Sequence, residues 1–187
     1  MDTLSAIAIF NEMDGLGKYI YRNSDLRTLF SKDSDRNFID TITRLVKKNV
    51  LVRAANGVFV YDAAKNKDSN ILEDIAKNIR RGQYNYLSLE SALSEYGVIS
   101  QIPTGHITVM TTGRKGIFET AWGNIEFIHT ERSPLEIVQR SSVLETRNIR
   151  LAMPDLALED LKRVNRNLHL VSIEDYKEII NETAPKL

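Results

Sequence analysis

The spacing of apolar side chains divides the start of the chain into helices and short strands. Residues 3–13 are apolar on nearly every side, which is typical of a helix buried between other elements. A short extended run at 18–21 follows, and the pattern then predicts a helix over 25–30 and a longer one over 35–48. On the longer helix, one face at helical spacing is predicted to be buried, and it carries Phe38, Ile39, Ile42, Leu45 and Val46.

After Asn49 the spacing becomes that of strands. The runs "VLVRA" and "VFVYD" are separated by Ala55-Asn56-Gly57. Asn-Gly between two such runs predicts a β-hairpin with a type I′ turn, in which both central residues have positive φ. Helix, strand, helix, helix, hairpin is the order of the winged helix-turn-helix. The sequence therefore predicts a winged helix-turn-helix domain over residues 1–65.

The polar stretch at 63–70 is predicted to be a linker to a second domain over residues 66–187. This part has mixed patterns, so the predicted fold class is α+β. Ser88 is expected to cap a helix that ends before Gly97, and residues 105–130 are expected to form a β-meander. The remaining predictions are a helix that Ser69 or Asn70 caps and that ends before Gly82, a strand over 148–153 and helices over 155–166 and 172–183.

Composition and charge leave the function open. The chain has 187 residues, of which 42% are apolar, enough to bury a core. Its 25 Lys and Arg residues balance its 25 Asp and Glu residues. Residues 1–65 hold ten basic against eight acidic side chains, and the rest of the chain holds fifteen against seventeen. This asymmetry is small, so binding to nucleic acid has to be argued from the positions of the cations.

The face of the 35–48 helix opposite its apolar stripe is rich in groups that can bind DNA. Arginine can bridge guanine, asparagine can bridge adenine, and lysine or threonine can hold phosphates. The hairpin adds two polar side chains that could reach the DNA backbone or minor groove. The predicted DNA-binding residues are Arg36, Asn37, Thr41, Arg44, Lys47, Lys48, Arg53 and Asn56.

Two alternatives remain open for this face: a solvated surface, or a wing that binds protein instead of DNA. Asp40 lies in the middle of the face and would repel phosphate unless it pairs with Arg36 or Arg44, each four residues away.

The second half of the chain resembles a known family. Residues 84–116, "YNYLSLESALSEYGVISQIPTGHITVMTTGRKG", resemble the central signature of the AbiEi antitoxins of type IV toxin–antitoxin pairs. The motif positions are Tyr86, Ser88, Ala92, Leu93, Gly97, Gln101, Pro103, Thr111 and Arg114. Residues 149–164 resemble the family's later strand and helix, with Pro154 and the Ala157-Leu158 pair in place.

Membership would imply two activities. The winged helix would repress the protein's own operon by binding double-stranded promoter DNA at inverted repeats. The mixed α+β domain would antagonise a nucleotidyltransferase toxin, directly or indirectly. Beside this resemblance, a second basic surface is predicted for DNA or toxin, from Arg80, Arg81, Lys162, Arg163 and Arg166. A winged-helix transcription factor with a ligand-sensing second domain, and an accessory nuclease, remain alternatives.

The sequence predicts no catalytic site, cofactor or metal. His106, His129 and His169 are far apart, and the chain has no cysteine for zinc or for disulfides. Asp155, Glu159 and Lys162 have helical spacing, unlike the hairpin-borne carboxylates of metal-dependent nucleases. With neither a basic leader segment nor an apolar run of about 18 to 20 residues, the expected location is the cytoplasm, without a membrane partner.

Overall fold

A computed structural model describes residues 1–67, 69–100 and 104–183. The helices in these ranges are α1 (Thr3–Gly15), α2 (Asn23–Leu29), α3 (Asp35–Lys47), α4 (Ile71–Ile79), α5 (Leu89–Glu95), α6 (Pro134–Gln139), α7 (Pro154–Val164) and α8 (Ile173–Thr183), with a 3-10 turn at Leu168–Leu170. The strands are β1 (Ile20–Arg22), β2 (Leu51–Ala55), β3 (Val58–Tyr61), β4 (Asn85–Leu87), β5 (His106–Thr111), β6 (Gly116–Thr120), β7 (Gly123–His129), β8 (Ser141–Ser142) and β9 (Arg150–Ala152). The predicted α+β class is confirmed. None of the helices described combines the length and the apolar character that crossing a bilayer requires.

Within the described ranges, the strands form two sheets, ordered β1-β3-β2 and β6-β7-β5-β4-β9-β8. The smaller sheet is antiparallel. In the larger one β5 pairs with β7 in parallel, and β4 pairs with β9 in parallel. The predicted meander over 105–130 is therefore wrong, because β5 and β7 are neighbours and β6 lies outside them. The motif residues Gln101 and Pro103 lie outside the described residues.

The chain forms two compact units, residues 1–79 with 119–122 and residues 80–118 with 123–187. The division falls later than the boundary predicted at 65/66, because α4 belongs to the first unit. In that unit the Tyr19 hydroxyl donates a hydrogen bond to the carboxylate of Asp74, and both side chains are buried. Helix α4 thus extends the unit that the sequence pattern assigned to residues 1–65.

Four aromatic side chains form the centre of the first unit. The ring of Phe10 lies 5.0 Å from Tyr21, 5.9 Å from Phe30 and 5.2 Å from Tyr61, centroid to centroid. These tilted contacts are of the kind that stabilises aromatic cores. Helix α1 contributes one side only, since Leu4 is 79% exposed. The expectation that this helix is buried on nearly all sides is therefore wrong.

The buried stripe of α3 differs from the predicted one. Ser34 caps the helix as its oxygen accepts a hydrogen bond from the Asn37 amide at 3.3 Å. Thr41, Ile42 and Leu45 are buried, whereas Ile39, expected in the core, is 63% exposed. Thr41 takes a core position because its hydroxyl finds polar partners inside the unit, so the stripe is centred on residues 38, 41, 42 and 45 at helical spacing.

The β2–β3 hairpin is present, but its turn is not the predicted type I′. Gly57 has a φ of 70°, while Asn56 is not among the residues with positive φ. The pairing shifts between Arg53 and Ala55, which marks a β-bulge. One left-handed glycine beside a bulge is the other common way to close a short hairpin.

A buried carboxylate organises the second unit. Asp160 on α7 has no exposed side-chain surface and accepts hydrogen bonds from Tyr86 at 3.0 Å and Ser88 at 2.8 Å. The Arg132 guanidinium donates to the other oxygen at 3.2 Å. Burial and the nearby carboxylate raise the pKa of Tyr86. Ser88 is the N-cap residue of α5, as predicted, but its hydroxyl binds Asp160 and not a helix amide.

The parallel contact of β5 and β7 predicts a strict requirement for glycine at position 123. A Cβ there would lie 2.1 Å from the Gly105 carbonyl oxygen, and φ is +135°. We expect Gly123→Ala to lower the free energy of unfolding by about 3 kcal/mol or more, since strain and overlap add. Urea unfolding followed by circular dichroism measures this. Gly15→Ala is the control, because nothing lies within 4 Å of its Cβ position. Equal stability of the two variants would contradict the strand arrangement.

Candidate nucleic-acid interface

One side of α3 presents polar and cationic groups to solvent. Arg36, Asn37 and Lys47 are all exposed, as the sequence predicted. Over the ranges that the structure describes, Arg36 and Lys47 have no ion-pair partner. Their charges are therefore available to an anionic ligand at low cost in lost intramolecular contacts.

Asp40 is the one acidic side chain on this side of the helix. It is exposed, and within the described ranges it forms no ion pair with Arg36 or Arg44. The pairing considered from the sequence is therefore not present, and the carboxylate adds a negative charge to the middle of the cationic face. An approaching phosphate would be repelled by it.

Of the predicted DNA-binding side chains, Thr41 is buried and Arg44 is partly buried, each held by contacts within the first unit. Thr41 is only 2% exposed, and its Oγ1 lies 3.3 Å from Asp33 Oδ2. The Arg44 guanidinium donates a hydrogen bond to the Met1 carbonyl oxygen. The Arg44 Nε is buried with no hydrogen-bond partner among the described residues. These contacts correct the prediction for both residues, since they hold α3 in place and leave little of either side chain for a ligand.

The contacts of Met1, Asp33, Thr41 and Arg44 together form the anchor of α3. Asp33 is the main hydrogen-bond acceptor of this anchor. Its two oxygens accept hydrogen bonds from the Met1 ammonium at 2.8 and 2.9 Å. Those bonds, supported by Thr41, hold the pKa of Asp33 below its ordinary value. The anchor is therefore charged at neutral pH and fixes the rotation of α3.

The hairpin and the end of α3 carry the remaining predicted residues. Arg53 is exposed, and its guanidinium lies 5.2 Å from the centroid of the Phe59 ring, an arrangement that orients the charge without neutralising it. Asn56 is exposed at the turn. Lys48 is also exposed, although its Nζ reaches Thr3 Oγ1 at 3.3 Å.

The second basic surface predicted from five cations is not formed as expected. Arg166 is bound by Glu90 and Glu126, so its charge is neutralised, which corrects that part of the prediction. Arg163 lies 3.7 Å from the buried Asp160. Arg80 stacks over Phe118 and Phe127 at 5.1 and 4.8 Å. Lys162 and Arg81 are exposed and remain candidates.

Asp155 and Glu159, whose spacing was compared with that of nuclease carboxylates, form ion pairs with arginines. Arg140 binds Asp155 and Glu159, each at 2.8 Å, and Arg132 binds Glu159 at 2.7 Å. These hydrogen bonds hold the pKa of Glu159 below its ordinary value. The two carboxylates serve as partners in an ion-pair network between α7 and the two arginines that flank α6.

A pocket that the sequence did not predict lies in the second unit. Its volume is about 650 Å³, within the usual range for small-molecule sites. The lining includes Glu90, His106, Asn124, Glu126, Arg166 and Leu170. These residues come from α5, the starts of β5 and β7, and the segment after α7, which are far apart in the chain. Only their convergence in the fold reveals the site.

Comparisons with known proteins bear on the fold alone. No protein-family model matches the chain, and no curated protein matches it. A search of solved structures finds similarity to the crystal structure of the RV2827C protein from Mycobacterium tuberculosis, with a TM-score of 0.52 and 14% sequence identity. The similarity covers 92% of this chain and 70% of that one. The α+β arrangement therefore has a counterpart among solved structures.

The anchor of α3 predicts opposite roles for two arginines on the same helix. Arg44→Ala removes the bond to the Met1 carbonyl and should destabilise the protein by about 1–3 kcal/mol. Arg36→Ala removes an exposed side chain and should change stability by about 0.5 kcal/mol or less. Thermal unfolding of both variants in the same buffer tests this. A destabilisation of similar size in the two would contradict the assigned orientation.

The pocket predicts a pH-dependent contribution to stability. Although burial opposes its ionisation, hydrogen bonds from Arg166 and Asn167 hold the pKa of Glu90 below its ordinary value. The stabilisation is thus complete above the unfolded-state pKa of about 4.3 and is lost as the pH falls through the folded-state pKa. The stability difference between wild type and Glu90→Gln should be largest at neutral pH and should shrink under acid. Exposed Glu119, as Glu119→Gln, is the control, and a pH-independent difference for Glu90→Gln would refute the linkage.

Proposed function

We propose that the first unit is a winged helix-turn-helix that binds double-stranded DNA, and that the protein is an antitoxin that represses its own operon. The observation that carries this proposal is the orientation of α3. Thr41, Ile42 and Leu45 attach one side to the unit, while Arg36, Asn37 and Lys47 stay exposed on another. The hairpin with Arg53 and Asn56 supplies the wing.

The exposed residues have distinct roles in this proposal. Arg36 and Asn37, in the first turn of α3, read base edges in the major groove, where each bidentate contact discriminates by about 1–3 kcal/mol. Lys47 and Lys48 hold phosphates, and Arg53 and Asn56 reach the adjacent backbone or minor groove. Exposed Ile39 offers an apolar contact to a thymine methyl group. Thr41 and Arg44 position the helix and touch no DNA.

The antitoxin part of the proposal rests on the resemblance of residues 84–116 and 149–164 to the AbiEi family. The second unit would antagonise a nucleotidyltransferase toxin. Tyr86 and Ser88 of that signature bind the buried Asp160, so their role in this unit is to maintain the fold. Toxin contacts are then expected from exposed side chains elsewhere on the unit, such as Lys162.

A second candidate function is a winged-helix transcription factor whose second unit senses a small ligand, with no toxin involved. The pocket of about 650 Å³ favours it. A ligand that releases the protein from its promoter would favour this function. Growth arrest by the neighbouring gene, relieved by co-expression of this chain, would favour the antitoxin.

DNA binding is tested by two substitutions on α3, one that removes a positive charge and one that removes a negative charge. Arg36→Ala should weaken binding to a duplex from the protein's own promoter about tenfold or more and reduce its sequence preference. Asp40→Asn should strengthen binding, because it removes a negative charge from the same face. Fluorescence anisotropy over a range of salt concentrations measures both effects. Lys65→Ala, an exposed cation outside α3 and the hairpin, is the control.

The pattern across these three variants decides the outcome. If Arg36→Ala and Lys65→Ala weaken binding equally, the interaction is non-specific attraction and the α3 assignment is wrong. If Asp40→Asn binds more weakly than wild type, the face does not meet phosphate.

A further inference from the structure

The pocket in the second unit is a built site with an unusual charge arrangement. Glu90 and Ser91, two of its lining side chains, are each only 6% exposed. Glu126 and His106 are partly exposed at 19% and 30%, so a solute can reach them. A few polar groups fixed in such a cavity can orient and hold a small polar ligand.

The single arginine of the pocket is already saturated by carboxylates. Arg166 Nε and Nη2 donate to the two oxygens of Glu90 at 2.8 and 3.2 Å. Its Nη1 lies 2.9 and 2.8 Å from the two oxygens of Glu126. An anionic ligand would have to displace one of these glutamates, which makes an anion a poor occupant.

The balance of charge instead favours a cation. Two carboxylates face one guanidinium in the lining, so Glu90, Glu126 and Arg166 together carry one net negative charge. The His106 Nε2 is 3.8 Å from the nearer Glu126 oxygen, too far for a hydrogen bond. Among the described residues each Glu126 oxygen is hydrogen-bonded at most by Arg166 Nη1, so each keeps a lone pair for a ligand, whereas Glu90 Oε1 already accepts from both Arg166 Nε and Asn167 Nδ2.

The same geometry indicates an organic cation and not a metal ion. In the part of the chain that the structure describes, no three His, Asp or Glu side chains converge so as to hold a metal. Leu170 supplies an apolar wall, and Asn124 is an exposed amide beside Glu126. A hydrocarbon stem with a guanidinium or amine head matches these surfaces.

We propose that this pocket binds a small aliphatic guanidinium or amine, with Glu126 as the carboxylate that holds its cationic head. Arg166 shows that the carboxylates of this site accept a guanidinium, and the ligand shares Glu126 with it. Leu170 packs against the stem of the ligand. The proposal is independent of DNA binding.

Isothermal titration calorimetry of the full chain, without DNA, tests the proposal with agmatine as the probe. Agmatine should bind saturably, while glutarate, an anion of similar length, should not bind at matched ionic strength. Glu126→Gln should weaken agmatine binding at least tenfold, which corresponds to about 1.4 kcal/mol. Glu119→Gln, an exposed residue outside the pocket, should bind agmatine as wild type does. Absence of saturable binding at millimolar agmatine, binding of glutarate in its place, or unchanged affinity in Glu126→Gln would overturn the proposal.

A second variant keeps the test decisive if Glu126→Gln does not fold. His106→Lys places a tethered ammonium beside Glu126 and should abolish agmatine binding while keeping or raising the melting temperature. Agmatine binding by a folded His106→Lys protein with wild-type affinity would also overturn the proposal.

Discussion

The rotation of α3 about its own axis is the constraint on which the functional account depends. Leu45 and Ile42 bury the apolar side of the helix. Thr41 and Arg44 add polar contacts to Asp33 and to the Met1 carbonyl, which apolar packing alone would not specify. Because these contacts fix which side of α3 packs against the unit, they also determine which of its side chains face solvent. Arg36, Asn37 and Lys47 are exposed as a consequence of how Thr41 and Arg44 are held.

Charges are used differently in the two units. In the second unit, Arg132 and Arg140 bind carboxylates on α7, and Arg166 binds Glu90 on α5 and Glu126 on β7. These pairs are partly buried, so removing one partner would leave an uncompensated charge. In the first unit, Arg36 and Lys47 have no such partner among the described residues. Cations without internal partners are the ones available for binding, which supports the proposed DNA interface at Arg36 and Lys47.

The sequence predicted elements whose signals are local. The start of α3 near residue 35, the β2–β3 hairpin and the presence of α5 and α8 all follow from neighbouring residues. Its errors arose where distant contacts decide. Thr41 is buried because Asp33 and Met1 lie over it, and Ile39 is exposed as a result. The parallel pairing of β5 and β7 depends on the close approach of Gly105 and Gly123, and the pocket around Glu126 depends on four separate segments. Contacts between distant segments cannot be predicted from the spacing of residues along the chain.

Nuclear magnetic resonance titration of the labelled protein with a duplex from its own promoter tests the central claim most directly. The account predicts that the largest amide shift changes fall in residues 35–40, 47–48 and 53–57. It also predicts that Leu45 and the pocket residues Glu90 and Glu126 change little. Shift changes concentrated in the second unit, or none on α3 at saturating duplex, would contradict it.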